Sequence, residues 1–461
     1  MRLRAPVLVS AIALVACGRQ GPIKTPTTDV IAVQLPLSTY DVSLPNGLRV
    51  LVQEDHQTPA VALRIEYRVG AWADPEGRSG FAHLFEHMMF EGSKHVARGE
   101  FEATMSVGGA RFNAETSSDS TVYFETFPKA MLDKVLWLES DRMGFLLERL
   151  DQKMLDEVRT IVKNEQHERT ETRPFGGLAP AVNTRLFPHG HPYHHSVGGV
   201  AAELDQATLE DVRSFFLRWY APNQATLVIV GDVDTKDVLA RVARWFSPIP
   251  PGPPAPKLPK FPVPRAQGDK RLVFQASVDA PRISMSWAIP AFNEPDEVAL
   301  LSAAQLLERW AGDFLGKRAR RVVVDEWAGQ FGGALTLHVS LPPDGSVDAI
   351  LPAIDGALAD FSAPKHWKRP DALVKASLYE PYTIRVLNTD GPTLRAATIA
   401  TFDRLTGSPL GVLDRLRAFE RLEPDAVLSA FDRYVHKAPR MIAIVQPTKD
   451  APVGGRLSEE S

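Results

Sequence analysis

The chain has 461 residues, 44% of them hydrophobic and 23% charged, with a formal net charge of −4. That length is too great for one core and predicts more than one domain, and the negative balance argues against nucleic acid as the main ligand. No run of eighteen apolar residues occurs, so no membrane-spanning helix is expected, and the single cysteine, Cys17, excludes an intrachain disulfide.

Arg2 and Arg4 precede an apolar run from Ala5 to Ala16. The run suits the core of a signal peptide and is too short to span a bilayer. It ends in Leu14-Val-Ala-Cys17, which resembles the bacterial lipobox. The resemblance implies a lipoprotein signal peptide over 1–16, cleavage before Cys17 and lipidation of Cys17 as a membrane anchor. Loss of Arg2 and Arg4 takes the charge from −4 to about −6. Residues 17–38, with Gly18, Pro22 and Pro26, read as a flexible tether. By resemblance to enterobacterial sorting, Gly18 after the cysteine points to the outer membrane, with the remainder facing the periplasm.

Leu63-Arg-Ile-Glu-Tyr-Arg-Val-Gly-Ala71 alternates like a half-buried strand. Gly and Pro then punctuate a turn up to Phe81. Phe81-Ala-His-Leu-Phe-Glu-His-Met88 follows, with His83, Glu86 and His87 in an H-x-x-E-H pattern. On a helix, residues i, i+3 and i+4 share one face. Two imidazoles one turn apart can grip one Zn²⁺, with a carboxylate beside them to handle a proton of water. A catalytic zinc takes three protein ligands and keeps one position open, so a third ligand is needed. The competing reading is a helix with ordinary half-buried histidines.

Leu155 to Glu168 reads as an acidic amphipathic helix that offers Glu157, Glu165 and Glu168. His167 points elsewhere on that helix and reads as solvated. Three further stretches stand out: Asn113-Ala-Glu-Thr-Ser-Ser-Asp-Ser-Thr-Val-Tyr123, Leu186-Phe-Pro-His-Gly-His-Pro-Tyr193 with Gly198 beyond it, and Tyr220-Ala-Pro-Asn-Gln-Ala-Thr-Leu-Val-Ile-Val-Gly-Asp-Val233. His191, His194 and His195 could suggest a second metal site, but they sit in a proline-rich turn, where packing is the favoured role.

Nine prolines between 248 and 264 predict an extended, semi-rigid connector. The two sides of it look like diverged copies. Leu63–Ala71 matches Ile283–Ala291, and Thr226–Val230 matches Met441–Val445. Each copy runs strands, helices, strand, an order that reads as α+β, with antiparallel sheet and helices on one face. The second copy has no histidine in its corresponding helix, Leu300 to Glu308.

These stretches resemble, in order, the pitrilysin/insulinase family of zinc peptidases, close to its mitochondrial-processing-peptidase-like bacterial members. Its H-x-x-E-H order is the inverzincin motif. The resemblance implies two tandem related α+β domains forming one half of a clamshell: a catalytic domain over 39–247, a linker over 248–269, an inactive peptidase-like domain over 270–448 and a tail over 449–461. It implies one Zn²⁺ per chain held by His83, His87 and Glu165, the last six residues after Arg159 as in the family. Glu86 would be the general base, and Asn113 and Ala114 would hold substrate backbone. The family often has another Glu where this chain has Val158.

The family's opposite half-clam supplies an Arg and a Tyr seven residues apart. Arg320 fits that pattern here, but Trp327 stands at the tyrosine position. This implies a paralogous subunit that lacks the zinc motif and supplies the pair, or a homodimer without the tyrosine. The function implied is a zinc endopeptidase for extended or unfolded peptides in a closed chamber. A non-catalytic peptidase-like lipoprotein acting as a scaffold or partner subunit is the alternative, and a metal-dependent hydrolase of another class is a further rival.

Overall fold

The computed structural model describes residues 8–11, 31–34, 39–363 and 391–461. Cys17 and most of the expected leader and tether lie outside them. Leu8–Ala11 and Ile31–Gln34 pair as a separate antiparallel ladder. No helix among the described residues is long and apolar enough to cross a membrane.

Two six-stranded sheets organise the rest. The first contains β1 (Tyr40–Ser43), β2 (Arg49–Glu54), β3 (Ala60–Tyr67), β4 (Arg111–Thr116), β5 (Thr121–Pro128) and β6 (Ala225–Gly231), in the order β1-β2-β6-β3-β5-β4. The second contains β7 (Lys270–Ala276), β8 (Arg282–Ile289), β9 (Arg321–Ala328), β10 (Gly333–Ser340), β11 (Met441–Pro447) and β12 (Arg456–Glu460), in the order β9-β10-β8-β11-β7-β12. Each sheet is antiparallel apart from one parallel pair, β2 with β6 and β7 with β11. The internal repeat holds at the level of register. Leu63 faces Ile229 across β3 and β6, and their counterparts Ile283 and Ile444 face each other across β8 and β11.

The first sheet packs one face on α1 (Phe81–Met88), α2 (Gln152–His167) and neighbouring helices, through residues such as Leu63, Ile65, Leu227, Phe85 and Val158. The expectation of helices on one face covers only half of the arrangement. Leaving the first half, α3 (Leu178–Leu186) sets Leu178 and Val182 on Leu272, Phe274 and Ala443 of the second sheet. The opposite face of that sheet packs on α4 (Glu297–Leu315) and other helices of its own half. In return, α5 (Pro392–Thr406) sets Ala396, Ile399 and Ala400 on Leu51, Ala62, Val228 and Val230 of the first sheet. Each half therefore lends a helix to the other's sheet. This explains why β6 is buried at every residue, since both its faces are covered.

The expected tail 449–461 contributes β12, which pairs with β7 at the sheet edge. Its short, charged sequence is typical of an edge strand, where such residues discourage pairing with other chains. The proline-rich connector is held by side chains of the Tyr220–Val233 stretch. Asn223 Nδ2 donates to the carbonyls of Gly252 (3.2 Å) and Pro253 (2.8 Å), and Gln224 Nε2 donates to Pro253 (2.9 Å).

The two hairpin turns, one per half, meet tip to tip. The buried Tyr193 hydroxyl donates to Asp119 Oδ1 (2.7 Å) and accepts from the Phe331 N–H (3.0 Å), while Asp119 Oδ2 accepts from the Gln330 N–H (2.8 Å). Arg404 of α5 reaches Asp119 at 3.5 Å and also pairs with Glu66. A Cβ on Gly329 would lie 2.3 Å from the Tyr193 hydroxyl, so only glycine permits the contact. Tyr193→Phe leaves Phe331 N–H and one Asp119 oxygen without their partner. It is expected to cost about 1–3 kcal/mol, read as a lower urea midpoint with an unchanged m-value.

Candidate metal centre

Residues on α1 divide cleanly by face. Phe81, Leu84, Phe85 and Met88 enter the core, while Glu86 and His87 remain half-buried on the other side and His83 is 3% exposed. The helix starts sharply. Gly80 adopts φ +92°, a conformation that disfavours any side chain, and Asp74 accepts from the Gly80 (2.7 Å) and Ala82 (2.9 Å) N–H groups. Burial raises the Asp74 pKa to about 8, against the pull of these two N–H donors. The preceding turn is clamped to the 198–203 loop. Ser79 N–H donates to Glu203 (2.8 Å), and Ser79 Oγ accepts from the Val200 N–H (2.9 Å).

Asp151 caps α2, accepting from the Met154 N–H at 2.8 Å. Leu155, Val158 and Val162 form its buried stripe, and Glu165 lies one turn further on the same side. Arg159 docks the helix by donating to the carbonyls of Leu204 (2.9 Å) and Ala207 (2.8 Å). Gln166 donates to the Gly199 carbonyl. The loop that clamps the start of α1 therefore also clamps α2.

The consequence is a compact triangle of donor atoms. His83 Nε2 and His87 Nε2 are 3.3 Å apart, and Glu165 Oε2 lies 3.1 Å from His87 Nε2 and 3.4 Å from His83 Nε2. A tetrahedral ion with ligand bonds of about 2.0–2.1 Å needs donors separated by roughly 3.3–3.4 Å. The three residues fit such an ion. Among the described residues, no other group of three or more His, Cys, Asp or Glu brings its donors this close.

Burial, helped by the neighbouring His87, lowers the His83 pKa to about 4. The ring is therefore neutral at ordinary pH, the form that can ligate. Burial raises the Glu86 carboxyl above its usual value, with Glu165 adding to the effect and His87 opposing it. The other oxygen of Glu165 is held by Arg169, one helical turn on.

The rival carboxylates stand elsewhere. Glu157 pairs with Arg98, which also binds Glu91, and Val158 is core. Glu168 pairs with Arg173 at 3.2 Å, and the exposed His167 with Glu171 at 3.2 Å. His191 is buried against Phe187 and Phe261, while His194 faces the Phe187 carbonyl at 2.8 Å. Asn113 and Ala114 lie on β4, the edge strand, which pairs only with β5 and touches α1. Arg320 and Trp327 stand at opposite ends of β9. Arg320 precedes β9 and pairs with Asp279 at 3.2 Å, whereas Trp327, 39% exposed, sits near the far end of β9 against Tyr193. Seven residues of strand separate them by roughly 23 Å. Sequence reasoning missed Asp74, Arg169 and the docking role of Arg159. The Asp-Pro-Glu-Gly turn that begins seven residues ahead of the helix was the available signal for Asp74.

Two family models match the chain: insulinase (peptidase family M16) over residues 49–175, and the peptidase M16 inactive domain over residues 206–341. The zinc protease PqqE of Helicobacter pylori is 31% identical over 273 residues, 58% of this chain and 60% of that protein. A crystal structure of a protease from Helicobacter pylori superposes with a TM-score of 0.80 at 24% identity, covering 89% of this chain and all of that one. The periplasmic protease PqqL of Escherichia coli gives 0.74 at 18% identity, covering 90% of this chain and 48% of that one. The chain thus spans about 60% of the length of PqqE and about half that of PqqL. With two models of one family together matching more than half of its length, in chain order, and the half-clamshell fold in common, the chain belongs to the insulinase family, peptidase family M16.

Proposed function

We propose that this protein is a zinc endopeptidase that cleaves extended peptides. The observation that carries the reading is the triangle of His83, His87 and Glu165 donors, with the Glu86 carboxyl on the same helix face. Bound zinc would supply Lewis acidity at the scissile carbonyl. His83 and His87 are fixed by burial and by the α1 clamp, and Glu165 by Arg169 and the docking of α2. Glu86, with its raised pKa, accepts a proton from the attacking water and returns it to the leaving amine. The unpaired edge of β4 at Asn113 and Ala114 would bind substrate backbone by strand addition, which selects extended segments. Lipidation at Cys17 would tether the chain on the periplasmic side of the envelope, the compartment named for PqqL.

Glu86→Gln keeps the shape of the side chain and removes the base. It is expected to retain one zinc per chain while kcat falls by about 10²–10⁴-fold. His87→Ala is expected to lose the metal itself, and elemental analysis of both variants beside the wild type separates the two roles.

Arg169 orients Glu165 by holding the oxygen that faces away from the imidazoles. Its replacement by Ala should weaken zinc binding about 10–100-fold, measured by competition with a chromophoric chelator. Unchanged affinity would reduce the contact to an ordinary surface ion pair.

A second reading, a subunit inactive on its own, is favoured by Trp327, which offers no hydroxyl where the family's oxyanion donor would stand. An oxyanion donor is worth about 10²–10³-fold in kcat. The isolated chain should therefore hydrolyse a quenched fluorescent peptide weakly. Co-expression with a paralogue that carries the Arg/Tyr pair should raise the rate by that factor, and full activity without it would remove the need for a heterodimer.

A further inference from the structure

Away from the metal centre, a pocket opens where the connector meets the second sheet. Its walls are Arg185 and Leu186 at the end of α3, Val263 to Ala266 of the connector, Lys270, Trp287 and Ala288, and the segments around Arg433 and Lys437 to Met441. The enclosed volume is about 100 Å³. Six cations line it (Arg185, Arg265, Lys270, Arg433, Lys437 and Arg440) and no carboxylate does. In a chain of net charge −4, that separation of signs needs a cause.

Four of the six cations are paired with acids that do not line the pocket. Glu460 holds Arg185 (2.8 Å), Asp296 holds Arg433 (2.6 Å), Asp355 and Asp269 hold Arg440 (2.6 and 3.3 Å), and Asp432 holds Lys437. They fix the direction of each side chain, while guanidinium N–H groups beyond those contacts remain to be used. Arg265 and Lys270 are exposed and have no ion-pair partner within 4 Å among the described residues. The second observation concerns Trp287, which is 1% exposed and lines the pocket. Its indole N–H is buried without a partner among the described residues. A buried donor left unpaired is costly, and an indole can only donate. What is missing is an acceptor.

We propose that this pocket binds a phosphate-type oxyanion, with Arg265 and Lys270 supplying unpaired charge and Trp287 a neutral donor. Several acceptor oxygens around one anionic centre, shared by free phosphate and by a phosphodiester, distinguish both from a carboxylate and suit a wall of many donors. The source is either a small soluble phosphate or the headgroup of an anionic lipid. This site is independent of the peptidase reading.

The test uses the full mature chain in neutral detergent, titrated with inorganic phosphate against chloride at matched ionic strength. Saturable tryptophan fluorescence change is expected, with a Tm rise of roughly 2 °C at ten times Kd. The double variant Arg265→Ala/Lys270→Ala, with both changes at exposed positions, should keep the ligand-free Tm and weaken phosphate binding at least about tenfold. Trp287→Phe should weaken it severalfold and remove most of the fluorescence response. Vesicles of phosphatidylglycerol against phosphatidylcholine, offered without detergent to a Cys17→Ser form that carries no lipid, distinguish the sources. Retention on the former, competed by free phosphate and lost in the double variant, assigns the lipid headgroup; saturation by phosphate without retention assigns the soluble ligand. No response beyond that of chloride, or an equal response in the double variant, overturns the site.

Discussion

Everything in this molecule depends on the need to cover two faces of each sheet with one chain. A sheet buried on both sides requires a second helical layer, and here each half obtains it from the other. Ala396, Ile399 and Ala400 close the first sheet, as Leu178 and Val182 close the second. The exchange sets the two halves at one angle, and the buried contact of Tyr193 with Asp119 and the Gln330–Phe331 turn fixes it at the hairpin tips. Because Asp119 sits in the turn after β4, that contact also holds the free edge beside the candidate metal centre.

The centre itself is built by docking rather than by local sequence alone. One loop, residues 198–207, receives Ser79 from the approach to α1 and both Arg159 and Gln166 from α2. Three donors from two helices thereby share a single reference surface, and their spacing stays within a few tenths of an ångström of a tetrahedral edge. Burial then does two opposite jobs on one helix face. It keeps His83 neutral and it makes the Glu86 carboxyl a stronger base than a solvated one.

Legibility in the sequence followed physical range. His83, Glu86 and His87 were readable because helical periodicity is local, and the 3.6-residue repeat alone puts them on one face. The repeat was readable because alternating strands keep their pattern, down to the facing pairs Leu63/Ile229 and Ile283/Ile444. The helix exchange was not readable. The apolar residues of α3 and α5 show that each helix has a buried side, but nothing in them says which sheet receives it. Asp119 and Tyr193 both lay in stretches that stood out, yet a hydrogen bond across 74 positions leaves no local trace.

The helix exchange also imposes an order in time. Val230 completes the first sheet's second apolar face, and the chain must grow by roughly 165 residues before Ala396 and its neighbours exist to cover it. At synthesis rates of about 5–20 residues per second, that face stays bare for roughly 10–30 s. A nascent chain at this stage presents Leu51, Ala62, Val228 and Val230 as an open hydrophobic surface. The last third of the polypeptide thus completes the burial of a sheet that the first half lays down.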